Sequence, residues 1–175
     1  MGVHEAYHLD PTNRLIHWIC IPVELAAVVK LLGLVPTPID LGLVAIALVG
    51  IVYCAADRGA GLAMVLLLLA LRLGVSALTT GAPALDGAVA LSAFALAFAF
   101  QTRVGHGVYE RGLDDTAMNL AEFRRTRNPI PLLLVFYYHP LELLFALGYR
   151  PELAATMHVH RARELARIPD DPRGR

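Results

Sequence analysis

The chain has 175 residues, 57% hydrophobic and 17% charged, with 15 Lys or Arg balancing 15 Asp or Glu. Soluble domains average roughly half apolar and a quarter charged, so both fractions point to a membrane protein and exclude a disordered chain. Two cysteines, Cys20 and Cys54, are too few for a disulfide scaffold, and zero formal net charge gives no pull toward nucleic acid.

A helix needs about twenty mostly apolar residues to cross the hydrocarbon core. Four stretches qualify in chain order: Leu15–Leu34, Ile39–Ala56, Gly59–Thr80 and Ala84–Val104. A fifth, Pro131–Leu147, is interrupted by His139, Pro140 and Glu142. The N-terminus carries His4, Glu5 and Asp10 and has no apolar run that would read as a signal peptide. The expected fold is therefore all-α: an integral membrane bundle of about four transmembrane helices, with a re-entrant or interfacial fifth helical segment. Residues 1–150 are expected to form a single membrane-embedded catalytic domain. Residues 151–175 are expected to form a polar tail that begins as an amphipathic helix and ends in disorder.

Arginine placement sets the expected orientation. The connections Val35–Ile39 and Gly81–Asp86 hold no Lys or Arg. Arg14, Arg58, Arg103, Arg111, Arg124, Arg125 and Arg127 fall before the first span, between spans two and three, or after span four. Four spans with both termini on the cytoplasmic side, in a bacterial inner membrane, satisfy all of these positions. A fully crossing fifth span would place Arg150 and the later arginines on the opposite side.

Ionisable groups in or beside membrane helices are costly, and each is a functional candidate. His4, His8 and His17 lie at or before the start of span one, and His106 and Glu110 lie just past the end of span four. The topology brings all five to one membrane face. His4 and His8 are four residues apart, as are His106 and Glu110, so a helix would place each pair on one side, able to grip one ion. Gly105 and Gly107 flank His106 and permit close backbone approach. Imidazole plus carboxylate suits Fe(II), Zn(II) or Mn(II), and histidines with open positions suit non-haem iron. The bland reading is that these are amphipathic residues in the headgroup layer. His158 and His160, on the polar tail, read as solvated. His139 suits an inward or an interfacial role equally. Arg72, at mid-depth of span three, calls for a partner: Glu24 or Asp57 would serve, or a substrate carboxylate within the bundle. Arg103 suits an anionic headgroup or simple positive-inside anchoring.

Two segments carry a more specific signal. Tyr7-His8-x-x-Pro11-x-Asn13-Arg14-Leu15-Ile16-His17 opens the chain, and Gly105-His106-Gly107-Val108-Tyr109-Glu110 follows the fourth span. With the closing Leu141-Glu142-Leu143-Leu144-Phe145-Ala146-Leu147-Gly148-Tyr149, they resemble the membrane-embedded 2-hydroxy fatty acid dioxygenase family of fatty-acid α-oxidation. The resemblance implies an Fe(II)- and O₂-using enzyme that shortens a 2-hydroxy fatty acid by one carbon, drawing a lipid substrate from the bilayer. It also implies that His8, His17 and His106 hold the metal and that Glu110 and Asn13 are its catalytic companions; His4 and His139 have no counterpart in the family pattern and are possible additional ligands by position alone. Arg103 or Arg14 would pair with the substrate carboxylate. The chain departs from the family pattern at Cys20, where relatives carry Gly, at Thr102, where Gln is expected, and over Arg111–Asp115. Two other readings compete. One is a metal-independent membrane lyase or cyclase acting on a polyprenyl or other lipid, with Glu110, Glu142 or an Asp as acid. The other is a non-catalytic lipid-binding protein.

Overall fold

The computed structural model describes residues 6–113, 116–129, 138 and 140–167, the side chains of 116–119 and 122 excepted. Among the described residues the regular elements are all helices. They are α1 (Pro11–Gly33), α2 (Leu41–Ala56), α3 (Arg58–Ala77) and α4 (Pro83–Phe100), which continues as a π-helix over Gln101–Tyr109. After these come α5 (Thr116–Thr126), α6 (140–146) and α7 (Pro151–Leu165). Helices α1 and α3, and α4 with its π extension, are long and apolar enough to cross a membrane, and α2 is a shorter apolar helix of 16 residues. The expected fifth segment, Pro131–Leu147, is described at 138 and 140–147, of which 140–146 are helical, and His4 and His139 lie outside the described residues.

The chain divides into two compact units, Met1–His17 with Gln101–Arg175, and Trp18–Phe100. The second unit is organised by a tight helical hairpin. Asp57 alone separates α2 from α3, in extended conformation (φ −157°, ψ 121°). Its N–H closes α2 on Tyr53 O at 2.9 Å, and its carboxylate caps α3 by accepting from Ala60 N at 3.0 Å. Close contact follows from small residues: a Cβ on Gly61 would lie 2.5 Å from Cys54 N, and one on Gly50 would lie 2.7 Å from a Val65 methyl. Ile46, Gly50 and Tyr53, spaced at helical period, are buried on α2, and Ala60, Met64 and Leu68 are buried on α3. The outward leucines of the hairpin, Leu48, Leu62, Leu66 and Leu73, are more than half exposed, as expected of a face that meets acyl chains.

Arg72 corrects the sequence expectation. Its partner is Asp40, whose Oδ2 accepts from Nε at 3.1 Å and from a terminal guanidinium nitrogen at 2.5 Å. Asp40 also caps α2, accepting from Gly42 N at 2.8 Å and Leu43 N at 3.1 Å. The physical reason is the hairpin: Asp57 sits at its turn, fifteen residues or about 22 Å of helix from Arg72. Asp40 begins the antiparallel neighbour and so meets the far end of α3. Lys30 makes a second tie in this unit. It donates to Val75 O at 3.0 Å and Leu78 O at 2.9 Å, supplying the α3 C-terminus with donors it lacks, and pairs with Asp86 at 3.4 Å.

Candidate metal centre

The first unit builds the site from two helix ends. Helix α1 starts on Asp10, whose Oδ1 accepts from Thr12 N at 2.7 Å and Asn13 N at 3.3 Å, with Pro11 at the first helical position. One turn further, Asn13 and His17 project to the same side and are buried, at 0% and 2% exposure. His8, just before the helix, is also buried.

The other end is the π-helical stretch. Its wider winding, seen in Glu110 N donating to Gly105 O at 3.2 Å, places Gly105, His106 and Glu110 in buried positions. The helix thus continues through His106, beyond the expected end of the fourth span at Val104. The chain then reverses through Arg111 and Gly112, both at positive φ (52° and 85°), and Gly112 N donates to His106 O at 2.7 Å. That reversal brings Leu113 O to 2.8 Å from His106 Nδ1.

His8, His17 and His106 converge through their Nε2 atoms. The His8–His17 separation is 3.1 Å and the His17–His106 separation is 3.2 Å, and the ring planes stand at 81° to 89° to one another. Carbonyl partners fix the tautomers. A carbonyl oxygen only accepts, so His17 Nδ1, 2.9 Å from Asn13 O, and His106 Nδ1, 2.8 Å from Leu113 O, each carry a hydrogen. In the neutral rings both Nε2 atoms then present lone pairs, 3.2 Å apart in a buried space. Two facing lone pairs repel unless a positive charge lies between them. Nitrogens bound to one divalent ion at about 2.1 Å stand roughly 3 Å apart, so the spacing fits a metal ion. An Nδ1–H held on a main-chain carbonyl is also the usual support of a metal-binding histidine. Among the described residues this trio is the group whose donor atoms could hold a metal, all within 4.8 Å.

Glu110 and Asn13 flank the histidines. Glu110, fully buried, accepts through Oε1 from Asp10 N at 2.7 Å and from Asn13 Nδ2 at 3.5 Å. Its carboxylate thereby sits at the positive end of α1 and fastens that helix to the π-helical segment. Asn13 Oδ1 is buried and accepts from no described residue. A Cβ on Gly105 would lie 2.4 Å from that oxygen, so glycine is what lets Asn13 occupy its place.

Other sequence candidates go elsewhere. Arg14 pairs with Glu142 of α6. Arg103 is exposed on the π-helix, and His158 and His160 are exposed on α7. Sequence reasoning missed Asp10, which caps α1 through its side chain and holds Glu110 through its N–H, and Leu113, which acts through its carbonyl. Asp10 had a signal, since Asp-Pro before an apolar run marks a helix start; a carbonyl such as that of Leu113 has none.

The chain is 33% identical over 159 residues to the 2-hydroxy-palmitic acid dioxygenase of Saccharomyces cerevisiae, a match covering 90% of this chain and 84% of the yeast protein. No family profile matches the chain, and no solved structure matches it.

Proposed function

Because the chain belongs to the fatty-acid dioxygenase family, we propose that it is a membrane non-haem iron enzyme that shortens a 2-hydroxy fatty acid by one carbon, using O₂. The observation that carries this reading is the meeting of His17 and His106 through their Nε2 atoms, with each Nδ1 on a main-chain carbonyl and His8 beside them. His8, His17 and His106 would hold Fe(II), which when bound supplies the capacity to use O₂ that no side chain possesses.

The chain's own groups then have separable tasks. Main-chain carbonyls of Asn13 and Leu113 keep the Nδ1 hydrogens of His17 and His106 in place, which directs the basic nitrogens inward. Glu110 anchors the start of α1, and with it Asn13 and His17. Asn13 Oδ1, buried and unpaired, is placed to accept a hydrogen bond from a water or from the substrate hydroxyl. Burial of the trio excludes bulk water, which strengthens these interactions.

Arg103 is the better candidate for the substrate carboxylate, since Arg14 is committed to Glu142. The metal-free lyase reading is weakened by the same pairings: Glu142 is engaged by Arg14, and Glu110 by the Asp10 N–H. Arginine distribution supports a cytoplasmic position for the histidines and both termini. The test is elemental analysis of anaerobically purified protein, with turnover of 2-hydroxypalmitate. About one iron per chain, and activity lost on chelation and restored by Fe(II), are expected. Activity that survives complete metal removal would overturn the reading.

A further inference from the structure

A buried polar atom without a partner marks where a ligand or a water is expected to supply one. In the first unit two side-chain oxygens are in that position, Asn13 Oδ1 and Gln101 Oε1: each is buried and accepts from no described residue. Glu142 Oε1 also lacks a hydrogen bond, but Arg14 pairs with its carboxylate. Both vacant groups are carboxamide oxygens, which only accept, so whatever satisfies them brings a hydrogen to donate. Gln101 opens the π-helical segment that carries His106. In π winding the backbone bonds run from i to i+5, so residues four or five apart lie on one side. Gln101 is four residues before Gly105, five before His106 and nine before Glu110, all three of them buried, whereas Arg103, Gly107, Val108 and Tyr109 are exposed. The carboxamide thus belongs to the inner face of the segment, one turn before His106, a rise of roughly 5 Å. We propose, resting on the function proposed above, that Gln101 is a specificity-determining residue: its Oε1 accepts the hydrogen of the substrate's 2-hydroxyl and so selects hydroxylated over plain fatty acids.

Of the two oxygens, that of Asn13 is the less accessible. Asn13 is fully buried, its Nδ2 donates to Glu110 at 3.5 Å, and its Oδ1 is so close to Gly105 that a Cβ there would lie 2.4 Å away. That recess suits a single water. Gln101 is only part-buried, so a ligand reaches its side chain while the oxygen itself stays shielded from bulk water. Selection then follows from the cost of an empty acceptor. A plain fatty acid fills the same space and excludes water, but presents a methylene where the hydroxyl would be, which leaves Oε1 unpaired. Sites built to bond a hydroxyl reject the analogue lacking it for this reason. Apolar walls offer no such discrimination, since in a bilayer the surrounding tails are as apolar as the walls. Arg103, the carboxylate partner proposed above, meets the group that both ligands share and does not tell them apart.

The test is equilibrium dialysis of radiolabelled 2-hydroxypalmitate and palmitate against the full chain in phosphatidylcholine nanodiscs, without O₂ and with uptake by empty nanodiscs subtracted. Wild type is expected to bind 2-hydroxypalmitate at least about tenfold more tightly than palmitate. Gln101→Met, similar in size but without the polar end, should lower the affinity for 2-hydroxypalmitate about tenfold, leave palmitate binding unchanged and keep its iron. Gln101→Glu keeps an acceptor oxygen at the same reach. Its charge weakens both carboxylate ligands, yet the ratio between them should stay at the wild-type value. Circular dichroism checks the folding of both variants. Equal loss of both ligands in Gln101→Met, or a ratio that does not change, would overturn the proposal. So would loss of iron in that variant, which would make Gln101 a metal ligand or a prop for one. These outcomes leave the iron content and turnover of wild type standing. A wild type that lacks both would instead overturn the proposed function, and this selectivity with it.

Discussion

His17 and His106 face one another with their Nε2 atoms 3.2 Å apart, while each holds its Nδ1 hydrogen on a main-chain carbonyl. Removing either ring should therefore abolish the proposed iron binding. His106→Ala and His17→Ala are each expected to fall below about a tenth of wild-type iron, since a structural ligand contributes several kcal/mol of metal affinity. Oxygen uptake with 2-hydroxypalmitate should fall in parallel, and helicity by circular dichroism should persist. An iron-free variant that stays active would contradict the assignment.

Glu110→Gln keeps an acceptor for the Asp10 N–H but removes the charge at the start of α1. A weakening of iron binding by about 10- to 100-fold is expected, the range for supports lying one step behind the ligands. Glu110→Ala, which leaves the Asp10 N–H without its acceptor, should cost a further 1–3 kcal/mol of stability or so. Competitive chelator titration and thermal unfolding in detergent measure the two effects separately.

Gly105→Ala introduces a methyl group 2.4 Å from Asn13 Oδ1. Asn13 is fully buried and has little room to yield, so a loss of about 1–3 kcal/mol is expected. Combining Gly105→Ala with Asn13→Ala should recover part of the stability but not the activity. Additive losses would show that the two residues do not meet.

Asp40 gives a pH signature outside the candidate metal centre. The bond from Arg72, and then the N–H groups it caps, hold its carboxyl below the ordinary Asp range. A folded-state pKa that is lowered contributes stability above the unfolded value, near 4, and loses it as pH falls through the folded value. The melting temperature should therefore drop on acidification below about pH 4, and Asp40→Asn should both lower it at pH 7 and flatten that acid dependence. An unchanged acid slope in Asp40→Asn would rule the pair out as its source.

Arg103→Gln tests carboxylate recognition. Arg103 is exposed on the π-helix, so folding and iron content should be unaffected. KM for 2-hydroxypalmitate is expected to rise about tenfold, with a smaller change in kcat, as for loss of one charge-assisted contact made equally in ground and transition states. Arg14→Gln, in contrast, should act through stability, because Arg14 already pairs with Glu142.

Hydrophobic runs fixed the helices closely. Expected span Ile39–Ala56 is α2 at Leu41–Ala56, and Gly59–Thr80 is α3 at Arg58–Ala77. Both follow from local apolarity and from the caps Asp40 and Asp57, which sequence carries directly. The π-helical continuation of α4 was not legible, because no residue pattern separates i→i+5 from i→i+4 winding. Arg72 was recognised as needing an acid, yet which acid depended on the register of the α2–α3 hairpin.

By itself the sequence determined that the chain is a set of apolar helices, that His8, His17 and His106 stand at helix ends, and which family it resembles. Residue type and spacing are sufficient for these. Only the tertiary structure decided that the three rings meet edge to edge, that Leu113 and Asn13 carbonyls set the tautomers, and that Glu110 reaches the start of α1. Those facts depend on atoms up to about a hundred residues apart in the chain coming within 3–4 Å, a matter of packing and chain reversal that local propensity does not encode.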